Sequence, residues 1–304
     1  MRPARAASFT GGFSIKRLLL CLLLACFAPL GFALTPYLLG TKLAPADIPS
    51  QLAAVETKLK EAGFTVLGRH TPKGLAQSAS LVVADDGLLQ ALRGIGGSAV
   101  VAAGIRVGMQ TDGTVSYMNP GYWHRAFVRS KFGTVEAASK SVQDKLAKAL
   151  GEGKTMGGDV EQDDLATYRY MFGMERFDSG NSLVATHASF EEALATVQGN
   201  LGKQVADTSK VYEVIMPERK VAVFGVAMNN PDSGEGWWVN KIEGAAHIAA
   251  LPYEIFIVDN KVYALYARFR IALSWPELGM GQFMRIINAP NAIQDIMTRV
   301  ASKP

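Results

Sequence analysis

Ala249–Leu273 is almost continuously apolar on either side of a polar break at Asp259–Lys261, with Glu254, Arg268 and Arg270 set singly between apolar neighbours. That pattern predicts two long antiparallel strands joined by a tight loop. A three-residue loop, Asp259-Asn260-Lys261, would set Val258 opposite Val262. One face would then carry Tyr253, Ile255, Ile257, Tyr263, Leu265, Ala267, Phe269 and Ile271, an apolar surface suited to covering by helices. The other face would carry Glu254, Phe256, Val258, Tyr266, Arg268 and Arg270. A two-residue loop would move both arginines onto the apolar face, so the pattern favours the longer loop. A weaker copy of the hairpin lies at Ala103–Pro120 (AGIRVGMQTDGTVSYMNP), with Arg106 at the position equivalent to Glu254.

The rest of the pattern repeats in order. Ile48, Leu52, Val55 and Leu59 recur at helical spacing behind Asp47 as an N-cap, and Gly63 ends the helix. Phe190, Leu194, Val197 and Leu201 repeat the same spacing behind a Ser189/Glu192 capping box. Strands are expected at Pro36–Leu43, Phe64–Gly68 and Ser80–Ala84, and again at Ser182–His187, Val211–Met216 and Lys220–Met228. Leu88–Leu92 reads as a short helix, and Val135–Leu150 and Ala292–Val300 as closing helices. Gly151–Asp164, rich in glycine and acidic residues, is the clearest linker. Two pairs share an offset of 148 residues, Phe64 with Tyr212 and Gly104 with Pro252. The expected fold is α+β, with two related lobes at 34–151 and 181–304 joined by residues 152–180. Each lobe is an antiparallel sheet with helices on one face.

The first 33 residues differ from the rest. Arg2, Arg5, Lys16 and Arg17 precede an apolar run, Leu18–Ala33, that ends in small residues. This is the pattern of an export signal cleaved between Ala33 and Leu34, giving a periplasmic or secreted chain. A retained N-terminal anchor is the alternative, and Leu23-Leu24-Ala25-Cys26 offers a lipoprotein anchored at Cys26. Four of the 31 basic residues and none of the 27 acidic ones precede Leu34, so cleavage leaves 27 of each. A neutral mature chain gives no electrostatic case for nucleic acid or an anionic membrane surface, and no membrane span is expected in it. Both cysteines, Cys21 and Cys26, lie in the same segment, so no disulfide or thiol chemistry is expected beyond it.

A helix ending near AGFTVLG, the strands SLVVADDG and VAVFGVAM, and hairpins opened by a small residue or by Leu-Pro together resemble the bacterial and archaeal family called domain of unknown function 302. The resemblance covers most of Leu34–Gly151 and Asn181–Pro304 as two tandem copies. It implies a compact α+β sheet with helices on one face, similar to the TATA-binding-protein-like fold. It brings no catalytic residues to carry over. The first copy departs from the pattern, with Gly104 where the second has Pro252 and no long closing strand.

Little in the sequence announces chemistry. His70, His124, His187 and His247 show no metal-ligand spacing. Met171 and Met174 offer copper or haem ligands only if a distant histidine joins them. There is no Gly-x-Ser-x-Gly elbow, and Gly153-Lys154-Thr155 follows a helix where a phosphate loop would follow a strand. Asp159–Asp164 lacks the glycine and the bidentate glutamate of a calcium loop. Trp237-Trp238 reads as buried core. The expectation is a binding module for a small molecule or a periplasmic protein, without cofactor or metal. Its candidate residues are Arg106, His124, His247, Glu254, Tyr266, Arg268 and Arg270, on mixed sheet faces. The alternatives are a hydrolase or isomerase using Glu254, His247 or His124 as acid or base, and a metal or redox accessory factor.

Overall fold

Two antiparallel sheets organise the chain, and their strands follow one order. The computed structural model describes Phe32–Lys303; most of the segment read as an export signal, with Cys21 and Cys26, lies outside the described residues. The strands are β1 (Ala33–Leu34), β2 (Tyr37–Leu39), β3 (Thr65–His70), β4 (Ser78–Ala84), β5 (Ile105–Gln110), β6 (Val115–Met118), β7 (Thr155–Met156) and β8 (Val160–Glu161). They continue with β9 (Leu183–Thr186), β10 (Thr208–Met216), β11 (Val221–Met228), β12 (Tyr253–Val258) and β13 (Lys261–Ala264). The helices are α1 (Ile48–Glu61), α2 (Asp86–Ile95), α3 (Pro120–Val128), α4 (Glu136–Leu150), α5 (Phe190–Gly202), α6 (Glu235–Lys241), α7 (Ala267–Ser274), α8 (Met280–Arg285) and α9 (Ala289–Ala301). One sheet runs β3-β4-β5-β6-β2-β7 and the other β10-β11-β12-β13-β9. From Ala33 onward the chain packs as one compact unit. Among the described residues no helix is long and apolar enough to cross a membrane.

The helices form where capping and periodicity require them. The Asp47 carboxylate accepts from the Ser50 N–H at 2.8 Å, and Ile48, Leu52, Val55 and Leu59 are buried against β3, β4 and β5. Ser189 accepts from the Glu192 N–H at 3.2 Å, while the Glu192 carboxylate reaches back one residue further than expected, to the Ala188 N–H at 2.7 Å. Of the two tryptophans expected in the core, Trp238 is buried, whereas Trp237 is only half-buried, with the Lys241 ammonium 4.4 Å from its ring centroid.

The hairpin departs from the expectation in two ways. Its loop has two residues, because Val258 pairs with Lys261 and Ile257 with Val262, and Asp259 takes a positive φ of 53°. Tyr263 therefore shares a face with Phe256, with ring centroids 5.4 Å apart, and not with Ile255. The second strand also stops at Ala264. In this register Leu265 and Tyr266 would continue opposite Glu254 and Tyr253, but the chain turns into α7 instead, which carries Arg270 back onto Glu254. Tyr266, Arg268 and Arg270 are therefore at the start of a helix. With both arginines on a helix, the two-residue loop places neither of them on the apolar sheet face.

The remaining faces of β5 and β12 turn towards each other's half of the chain. The 3₁₀ segment Gly97–Ala103 packs on β11 and β12, and its counterpart Gly244–Ala250 packs on β4, β5 and β6. Gly108 leaves room for this, since a Cβ there would stand 2.4 Å from Ile248. The edge strands β3 and β10 also meet, each at a β-bulge, Leu67 in one and Val211 in the other. The bulges make Gly68 the counterpart of Tyr212, so the expected equivalence of Phe64 and Tyr212 is displaced by a few residues. A Cβ on Gly68 would lie 2.1 Å from the Val211 carbonyl oxygen, and backbone cannot swing aside. Gly68→Ala is expected to cost about 1–3 kcal/mol. Urea denaturation checks it, and an unchanged midpoint would mean that the two edges are not held this closely.

Candidate functional site

Arg106 and Glu254 are at equivalent register positions, opposite Val82 on β4 and Gly225 on β11. They were expected on a mixed face, wet or open to a ligand. The two sheets bury both completely and join them to each other. The Glu254 carboxylate accepts from Arg106 Nη1, from Arg270 Nε at 2.9 Å and from Arg270 Nη2 at 3.0 Å. Arg270 comes from α7, donates to the Ala250 carbonyl at 2.8 Å and also bonds Ser274. Arg106 Nε donates to the Ala249 carbonyl at 3.0 Å. Both guanidiniums lie over the Trp123 ring, at 4.6 and 4.8 Å from its centroid. One carboxylate thus faces two cations. Burial pulls Arg106 below the usual arginine range. Burial opposes the charge on Arg270 too, but the Glu254 carboxylate more than restores it and holds that group above its usual value. Around them, burial pushes the Tyr37, Tyr212 and Tyr253 hydroxyls well up. This cluster is a joint between the two halves, sealed from solvent.

The other candidates are dispersed. His124 is fully buried in α3, with Nδ1 2.9 Å from Ser139 Oγ, and burial together with the Arg106 charge pulls its pKa down to about 3. His247 stacks between Tyr37 and Trp275, with Nε2 3.3 Å from Glu277 Oε1, and burial pulls it down to about 4. Arg268 pairs with Glu175 at 2.6 Å and lies over Tyr266. Tyr266 and Arg268 do not join the Arg106–Glu254–Arg270 cluster. His70, read as a lone residue, meets Glu235 of α6 at 2.7 Å, both buried; their 165-residue separation gave the sequence no sign of it. Among the described residues no group of three His, Cys, Asp or Glu side chains is placed to hold a metal ion.

A cleft of about 310 Å³ opens over β12 and β13, on the same face as Glu254. The stacked Phe256 and Tyr263 and the ring of Phe177 wall it, and Ser98, Ser179 and Ser182 bring hydroxyls. Arg129 stands over it from the end of α3, with φ 57° and ψ −130°, a conformation that favours glycine. Its guanidinium lies 4.4 Å from the Phe177 centroid, and Nη2 donates to Ser98 Oγ at 3.3 Å. Nη1 is 3.6 Å from the carboxylate of Asp178, which is 69% exposed, and the buried Nε has no partner. A neighbouring cleft of about 280 Å³ shares Arg129, Phe177 and Asp178. A larger groove of about 660 Å³ runs between α1 and the β3–β4 loop. Its charges are already satisfied, since Glu56 holds Arg69 at 2.6 Å and Lys60 at 2.7 Å.

Sequence reading placed Phe256 and Val258 on the right face but missed Arg129, Phe177 and the three serines. Nothing in Arg129–Gly133 distinguishes a basic loop from a strained, aimed arginine. No family model, no curated protein and no solved structure matches the chain.

Proposed function

We propose that the chain is an exported binding module without chemistry of its own, taking a small aromatic anion in the cleft beneath Arg129. The observation that carries this reading is the Arg129 side chain. Its backbone is strained, its Nε lacks a partner, and its one carboxylate neighbour is largely exposed to solvent and reaches only Nη1, at 3.6 Å. A ligand carboxylate, sulfonate or phosphate would supply the missing acceptor, while Phe177, Phe256 and Tyr263 would cover a flat apolar body. The acid-base candidates support binding over catalysis by their positions: Glu254 is held by two arginines, His124 is sealed in the core, and none of Glu254, His124 and His247 lines either cleft beside Arg129. Membership of the domain of unknown function 302 family, as two copies, is part of the same proposal. Its support is the common strand order of the two sheets.

Anilinonaphthalene sulfonate, an aromatic anion, is a suitable probe. Saturable one-to-one fluorescence enhancement is expected, and Arg129→Gln should weaken it by about tenfold or more, the worth of a hydrogen bond to a charged group. Phe256→Ala should weaken it as well. Non-saturable binding, or an Arg129→Gln curve that overlays the wild type, would remove this reading.

A further inference from the structure

Large apolar side chains left exposed gather at one end of the molecule. From Ala33 onward, the large apolar residues among those described that are 45% exposed or more are Met171, Phe172, Met280, Met284 and Ile287, and Phe172 is 92% exposed. They come from two segments far apart in sequence that the fold ties together. Tyr170 packs on Phe283 of α8 with centroids 6.3 Å apart, and its hydroxyl donates to the Leu278 carbonyl at 2.8 Å. Met280, Met284 and Ile287 follow one another at helical spacing along and just past α8. Their partner Phe283 turns inward and is buried. A contiguous patch of this kind is unusual on a free surface and marks a contact with a partner or a membrane.

Two observations favour a lipid surface. The apolar run Leu18–Ala33 ends at β1, and β1 pairs with β8. Just before β8, a Cβ on Gly158 would stand 3.0 Å from Glu277, three residues ahead of α8. The point where the apolar run joins the folded chain is therefore on the same end as the patch. The rim chemistry agrees. Arg169 lies over Phe172 at 4.9 Å, and Arg285 closes α8. Long basic side chains beside protruding apolar ones suit the boundary between headgroups and acyl chains.

We infer that this end of the molecule lies against a phospholipid bilayer, inserting Phe172 and the methionines of α8 below the headgroups. The inference is independent of the ligand cleft and of net charge. It holds for a chain tethered at Cys26 or by the apolar run itself, and for a cleaved chain as weak peripheral binding.

The test is flotation of the chain beginning at Ala33, a compact unit without cysteine, with vesicles of mixed phosphatidylcholine and phosphatidylglycerol. The chain should float, and the combined Phe172→Ser, Met280→Ser and Met284→Ser variant should partition at least about tenfold less, since binding follows buried apolar area. A second readout avoids reliance on that variant. An environment-sensitive fluorophore on Phe172→Cys should shift to the blue on adding vesicles, whereas one on Lys140→Cys of α4 should not. Failure of the wild type to float, equal flotation of the variant, or no shift at position 172 would each overturn the inference. So would a vesicle-blind chain whose elution changes from dimer to monomer in the variant, which would make the patch an interface between copies.

Discussion

Glu254→Ala is expected to destabilise the chain by about 3–5 kcal/mol, the cost of removing one partner from a buried ion pair. Arg106 and Arg270 would keep their carbonyl contacts and the Trp123 face, but two charges would remain in the interior without an anion. Glu254→Gln keeps the shape and should cost nearly as much, because charge is the quantity removed. Arg106→Met should be much milder. It leaves Glu254 bound by both Nε and Nη2 of Arg270, a bidentate one-to-one pair, and it removes the unbalanced cation. Arg270→Met should be worse than Arg106→Met, since Arg270 also holds Ala250 and Ser274. Urea denaturation of the four variants would order them, and an Arg106→Met chain as unstable as Glu254→Ala would contradict this account of the cluster.

Stability should begin to fall with acid well above the usual carboxylate range. His124 and His247 titrate at about 3 and about 4 in the folded chain, chiefly because burial disfavours the imidazolium. Their ordinary value is 6.5. Between these limits the unfolded chain binds more protons, so stability rises with pH. It is fully present above about pH 6.5 and is lost as pH falls towards the folded values. At about pH 5 each histidine should have removed on the order of 2 kcal/mol. The groups facing His247 are Tyr37, Trp275 and Glu277, and burial is the cause of its shift. Those facing His124 are Ser139 and the Arg106 charge. His247→Phe keeps the aromatic stack and should remove about half of the loss over this window. A thermal midpoint that is flat from neutral pH to about pH 5 would show that neither imidazole is held neutral.

Much of the architecture was legible because it rests on local chemistry. Asp47 and Ser189 cap their helices through contacts within four residues, and Ile48–Leu59 faces the sheet at the spacing it displays in sequence. The hairpin was legible only in part. Its first strand and its facing were right. The length of the second strand depended on where the chain turns into α7, a helix held by the long-range contact of Arg270 with Glu254. Alternation of Phe269, Ile271 and Leu273 reads equally well on a short buried helix, because every side of α7 is covered except near Arg268.

The candidate site was less legible. The sequence singled out Arg106, Glu254 and Arg270 as charges among apolar residues, which was correct, and assigned them to a surface, which was not. Whether a charged strand face meets water or another sheet depends on the partner that covers it. Here that partner is the other half of the chain: the second half sets Ala249 and Glu254 on Arg106, and the first sets Trp123 on Arg270. The Arg129 cleft and the Phe172 patch assemble from segments tens to over a hundred residues apart, with no local signal at either. The sequence by itself determined the α+β class and the order of the main strands and capped helices, because capping and periodicity are local. The tertiary structure alone decided that Arg106, Glu254 and Arg270 are buried against each other, because burial and pairing are properties of what packs on top.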